Sequence, residues 1–187
     1  MLDWLARWDL ALYRHINLTH TSPALDPLMW LASWGPSGAI LFMLAVAAAS
    51  LRKSRYGLRV LTVVAAVFLV SDVLGSQVLK PLMARVRPCH HQMDARRMND
   101  ICGSTYGMPS GHAANTMGVA TVLYFYAPPA AAAIAFVTSL IVGYSRIYVG
   151  VHYPGDVFAG WIVGILFGVI VSLAMRRWVH QGSRKWK

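Results

Sequence analysis

Lys80 and Arg87 stand seven residues apart in KPLMARVRP, Ser110, Gly111 and His112 are consecutive in GMPSGH, and Arg146, His152 and Asp156 share the stretch SRIYVGVHYPGD. Arginine offers a planar fork, and lysine a compact charge, to phosphate oxygens. Lys80, Arg87 and Arg146 could therefore hold the oxygens of one phosphoryl group. Ser110 is of a type that starts helices, and the N–H groups behind it, left uncovered by Gly111, suit an anion. A phosphate ester resists attack because its charge repels nucleophiles and its alkoxide leaves badly. Cations and N–H donors offset the first difficulty, and a proton donor the second. His152 is the candidate nucleophile. Asp156, four residues on, is placed to orient the other ring nitrogen and stabilise positive charge. His112 is the candidate that protonates the leaving oxygen and then takes a proton from the water that hydrolyses a phosphohistidine.

The elements that must carry these residues are apolar. The chain has 187 residues, 57% hydrophobic and 13% charged, enough for one domain over 1–187 and too greasy for an ordinary soluble one. About 20 helical residues cross a bilayer core, and three runs have that length: Leu58 to Leu79, Ala130 to Tyr148 and Val157 to Met175. Ser37 to Leu51 and Ala113 to Ala127 are shorter and borrow a turn from their outer ends. The expectation is an all-α integral membrane bundle of about five transmembrane helices. Pro81 is expected to stop the second span, and Pro88 to fix an extended exit.

Residues 1–35 read differently. Leu2, Leu5, Trp8, Leu12 and Ile16 recur at helical spacing, followed by a short helix from Asp26 to Trp34, as expected of helices lying in the interface over the outer end of the bundle. No removable signal peptide is expected. Arg52, Lys53, Arg55 and Arg59, with Arg176, Arg177, Arg184, Lys185 and Lys187 in the tail, mark the cytoplasmic side. The net charge of +10 therefore reads as a membrane anchor, and no nucleic acid partner is expected. Lys80, Arg85, Arg87, Arg96, Arg97 and Arg146 oppose that bias and fall at the outer face, where an intramembrane or interfacial charge needs another use.

The outer loop, 81–109, is long beside the others. Cys89 and Cys102 within it are either a disulfide or two free thiols. His90 and His91 lack a third ligand at convincing spacing, and no metal site is expected. Arg96 and Arg97 either meet a headgroup or are solvated, and Arg85 leans toward the site. Asp72 lies about 12 Å along a helix from Lys80, too deep for phosphate chemistry, and is expected to contact a neighbouring helix. Gly160, Gly164 and Gly168 make a smooth face for close helix packing.

The ordered set of Lys80 with Arg87-Pro88, Pro109-Ser110-Gly111-His112, and Ser145-Arg146 with His152 and Asp156 resembles the type 2 phosphatidic acid phosphatase superfamily, whose core is shared with vanadium haloperoxidases. The resemblance covers roughly Lys80 to Asp156. It implies a metal-independent, cofactor-free lipid phosphatase in which His152 is transiently phosphorylated, with Lys80, Arg87, Ser110, Gly111 and Arg146 on the phosphate and His112 as acid and base. Many members have six spans; here interfacial helices take the place of the first. The short form resembles bacterial enzymes facing outward from the inner membrane. Undecaprenyl diphosphate is the leading substrate on this reading, with phosphatidylglycerophosphate, phosphatidic acid and lipid A 1-phosphate as alternatives. A vanadate peroxidase and a lipid-phosphate binding or transport protein are the competing functions.

Overall fold

The computed structural model describes residues 2–34, 55–98 and 102–181. The expected span Ser37–Leu51 lies outside them, as do Arg52, Lys53 and the basic end of the tail. Helix α1 covers Leu2–Arg14 and runs into a wide π-helical turn, His15–Thr19. Helix α2 covers Asp26–Ser33. Helix α3 runs from Arg55 to Met83, with a second wide turn at Gly75–Leu79. A short helix, α4, occupies Pro88–His91 in the outer loop. Helices α5, Gly111–Tyr126, α6, Pro129–Tyr148, and α7, Pro154–His180, complete the order. Among the described residues there is no strand, only one antiparallel bridge between Val86 and Tyr106. Helices α3, α6 and α7 are long and apolar enough to cross a membrane.

Helix α5 is the axis, packed against α3, α6 and α7. It is buried nearly all round from Ala113 to Leu123, with Tyr124 and Phe125 exposed at its far end, which explains why its sequence is apolar without a polar face. On α3, Val60, Val63, Val64 and Val67 form the inward stripe against Met117, Ala120 and Leu123, while Leu58 and Leu69 point outward.

The glycine stripe of α7 packs on α5. A Cβ at Gly160 would stand 2.5 Å from the Ser110 carbonyl oxygen, and one at Gly164 would collide with the Ala114 carbonyl. Neither neighbour is a side chain that can turn away, so only glycine allows this approach. Gly164→Val is expected to destabilise the protein by about 3 kcal/mol, read as a lowered unfolding transition in detergent. Gly75→Ala, with nothing within 4 Å of the added carbon, is the control expected to stay near wild type.

Pro81 does not stop α3, contrary to expectation. The carbonyl that its ring would strike belongs to Gln77, inside the wide turn, and the widened geometry accommodates it. The helix ends instead at Ala84, in the left-handed region with φ 46°.

The two N-terminal helices do more than cover the bundle. Trp4, Leu5, Trp8 and Leu12 are exposed along α1, and Tyr13 is fully buried. The expected outward stripe ends early, because the wide turn carries Ile16 inward. Asn17 then pins the segment to the core: it donates to the carbonyls of Arg96 at 2.9 Å and Tyr148 at 2.8 Å and accepts from the Arg96 N–H at 2.8 Å.

Candidate active site

At the ends of α3 and α6 and the start of α5 lies a cavity of about 400 Å³, whose lining includes Lys80, Arg87, Gly111, His112, Arg146 and His152. Three stretches far apart in the chain thus meet at one place, as their residue types predict. Ser110 and Asp156 stand behind this wall, both fully buried. The Ser110 N–H donates to the Asp156 carbonyl at 2.9 Å, which ties the start of α5 to the start of α7.

The wide turn in α3 positions Lys80. In an uninterrupted helix Lys80 would stand roughly 80° round the axis from Asp72. A π turn takes up about one extra residue, which brings Lys80 into line with Phe68 and Asp72, and all three line the cavity. Asp72 therefore faces the cavity rather than a neighbouring helix. The correction has a local cause, since the rotation by the wide turn has no clear signature in the residues Gly75 to Leu79.

Arg87 is held from two sides. Its Nε donates to the Ser104 carbonyl at 2.7 Å and its NH1 to the Val151 carbonyl at 3.3 Å. The same NH1 lies 2.8 Å from His152 Nε2. Arg146, near the end of α6, is anchored by α2: its NH1 donates to the carbonyl and the hydroxyl of Ser33, each at 2.5 Å. Arg146 Nε is buried with no hydrogen-bond partner among the described residues, a donor in reserve at the cavity wall.

His152 is 2% exposed. Because Arg87 can only donate, Nε2 must carry the lone pair, and the ring proton belongs on Nδ1. Nδ1 lies 3.4 Å from Asp156 Oδ2. That oxygen also accepts from the Tyr153 N–H at 3.0 Å, and Oδ1 accepts from Arg85 at 2.9 Å. Burial, followed by the positive charges of Arg87, Arg146 and Lys80, holds the His152 imidazole well below its ordinary value. It is neutral, as a nucleophile must be. His112 Nε2 is buried without a hydrogen-bond partner among the described residues, a second ring nitrogen available to a bound group.

Two further residues take part: Arg85, toward which the sequence leaned, and Gly107, which it did not single out. Arg85 is a ligand of Asp156, not of the cavity, and also pairs with Asp9 of α1. Its signal was a basic residue that opposes the expected positive-inside bias. Gly107 is hemmed in: an added Cβ would stand 2.9 Å from Asp156 Oδ2, 3.0 Å from Arg87 Cγ and 3.4 Å from His152 Nδ1. Gly107→Ala is expected to lower turnover by about 100-fold by parting Asp156 from His152, with the fold retained. Near-wild-type kinetics in that variant would show that this wall can yield.

Arg96, a third of whose side chain stays exposed, has a protein partner. It pairs with Asp26 at 2.5 Å and lies over the Tyr148 ring, 5.8 Å from its centre, because α2 brings a carboxylate to it. Arg97 is exposed. Cys89 and Cys102 are joined in a disulfide, and their sulfurs, bonded to each other, are not thiolate ligands for a metal beside His90.

The chain is similar to known proteins over the same region. The model of the PAP2 superfamily matches residues 56–180. A lipid A 4'-phosphatase of Bacteroides thetaiotaomicron is 31% identical over 176 residues, 88% of this chain and 75% of its own length. An undecaprenyl-diphosphatase of Sulfolobus acidocaldarius is 36% identical over 97 residues, 52% of this chain and 46% of that protein. The chain thus spans about half the length of some of the curated relatives it matches. Among solved structures, Aquifex aeolicus LpxE superposes with a TM-score of 0.71 at 31% identity, covering 87% of this chain and 93% of that one. A transmembrane PAP2-type phosphatidylglycerolphosphate phosphatase of Bacillus subtilis gives 0.70 at 25% identity, covering 98% and 89%. With the matched region running from the start of α3 to the end of α7 and containing every residue of the cavity wall named above, the chain belongs to the PAP2 superfamily.

Proposed function

We propose that this protein is a membrane phosphatase that transfers the terminal phosphoryl group of a lipid phosphate or diphosphate to His152 and then to water. The observation that carries the reading is the two-sided fixation of His152: Nε2 meets Arg87 at the cavity, and Nδ1 faces Asp156. When a phosphate oxygen takes the Arg87 N–H, the Nε2 lone pair is released toward phosphorus. The N–P bond forms as the P–O bond to the lipid breaks, and His112, which burial and the cations keep unprotonated until the phosphate brings its negative charge and a proton into the cavity, gives that proton to the departing oxygen. His112 then accepts a proton from water, whose oxygen attacks phosphorus and displaces Nε2. Inorganic phosphate leaves and both histidines return to their starting forms. Lys80, Arg87, Arg146 and the N–H groups at Gly111 offset the negative charge of the transferred group, with Ser110 holding the turn that presents them. Asp156 stabilises the imidazolium that forms on phosphorylation.

This charge complement can act without a metal, and activity is expected to persist in EDTA. The lipid tail stays among the helices while the headgroup reaches the cations. The disulfide beside the cavity suits an oxidising compartment, which favours a site on the outer face of a bacterial inner membrane. Undecaprenyl diphosphate is supported as substrate by the name of the Sulfolobus relative. A second reading, a lipid A phosphate, is favoured by the longer match to the Bacteroides protein.

Phosphate release in micelles containing EDTA, from undecaprenyl diphosphate, lipid A, phosphatidylglycerophosphate and phosphatidic acid in turn, tests both levels. Release is expected, and the ranking by kcat/KM names the lipid. Folded protein that releases phosphate from none of them overturns the phosphatase reading and leaves a binding or transport protein. Peroxidase activity on added vanadate would point to the haloperoxidase branch of the fold.

A further inference from the structure

Asp9 belongs to α1, whose Trp4, Leu5, Trp8 and Leu12 are exposed, and its carboxylate reaches the base of the candidate site. One oxygen accepts from the Gly155 N–H at 2.7 Å, at the first turn of α7, and the other pairs with Arg85. Arg85 in turn donates to Asp156 Oδ1 at 2.9 Å and lies over the Tyr153 ring, 4.3 Å from its centre. Tyr153 itself packs on Tyr13 of α1, with ring centres 5.2 Å apart. A continuous chain of polar contacts therefore runs from α1 through Arg85 and Asp156 to His152.

We infer that Asp9 is a positioning residue for phosphoryl transfer, acting through Arg85 on Asp156. The inference rests on the phosphatase reading above. Its physical basis is the sharing of one guanidinium by two carboxylates. Arg85 holds Asp156 Oδ1, which turns Oδ2 toward His152 Nδ1 and the Tyr153 N–H. An arginine wholly given to Asp156 would neutralise it and weaken its hold on the His152 imidazolium. Asp9 draws part of that positive charge to itself, leaving Asp156 correctly aimed and still basic. The exposed Trp4, Leu5, Trp8 and Leu12 seat the same helix in the interface, so the seating of α1 and the aim of Asp156 are mechanically joined.

The test is a double-mutant cycle in the full-length protein, read as kcat and KM on whichever lipid the wild type turns over fastest. Asp9→Asn keeps the shape and an acceptor for Gly155 and removes the charge. It is expected to lower kcat about tenfold with KM within about twofold and the unfolding temperature little changed. Added to Asp156→Asn, it should cost nothing further, because its partner in the effect is already gone. Asp9→Glu should recover most of the loss. Arg14→Ala, which breaks the surface pair of α1 with Asp94, should leave turnover unchanged. A wild-type kcat in Asp9→Asn, or the same fractional loss in both backgrounds, overturns the inference while leaving the phosphatase reading intact. A wild type inert on every lipid overturns that reading first, and this one with it.

Discussion

His152→Ala is expected to lower phosphate release by at least about 10⁴-fold, since loss of a catalytic nucleophile removes the whole covalent route. The size follows from the geometry. Among the described lining residues named above, no other combines a neutral nucleophilic nitrogen with a proton-accepting partner behind it; the rest are cations, a backbone N–H surface, His112, Phe68 and the Asp72 carboxylate. Burial and three cations keep the His152 ring neutral, so no base is needed to activate it. The same substitution should spare lipid binding, because Lys80, Arg87 and Arg146 remain. Initial rates of phosphate release and a parallel lipid-binding measurement check both halves. A variant that still turns over within about tenfold of wild type would remove His152 from the chemistry.

His112→Ala is expected to cost about 10²- to 10⁴-fold in turnover of a lipid ester. Two steps depend on its proton. The first is sensitive to the leaving group, the second is not. An aryl phosphate, whose oxygen leaves without help, should therefore still phosphorylate the variant, and the phosphoenzyme should accumulate because water is no longer deprotonated. Single-turnover kinetics with both substrate types distinguish this from a binding defect. Equal losses on both substrates, with no intermediate building up, would assign His112 to phosphate binding alone.

The candidate site was legible in the sequence because its groups are expensive where they stand. Cations that oppose the expected positive-inside bias, and histidines beside a proline-glycine turn, have few bland explanations when three such segments can share a level. The apolar runs that became α3, α6 and α7 were legible for a similar reason, since length and hydropathy are additive along the chain. What could not be read depends on rotation and on single contacts. The wide turn at Gly75–Leu79 turns Asp72 and Lys80 to one face, and helical periodicity assumes no such turn. Arg85 and Arg96 look alike as loop arginines, yet each is claimed by a different N-terminal carboxylate, Asp9 or Asp26. Only the docking of α1 and α2 decides that. Asp9 carried no clear signal, since on a regular helix it stands beside Leu5 and Leu12 at the flank of the apolar stripe. Gly107 carried none, because a glycine before Met108-Pro109 reads equally well as a turn.

The most direct test of the central claim is to trap the intermediate. Wild-type protein is mixed with its preferred lipid carrying a radiolabelled terminal phosphate and quenched in alkali within one turnover. A protein-bound label is expected that survives alkali, is lost in mild acid, maps to the peptide containing His152, and is absent from His152→Ala. Phosphate release at full rate with no such label, or a label on a serine or on His112, would contradict it.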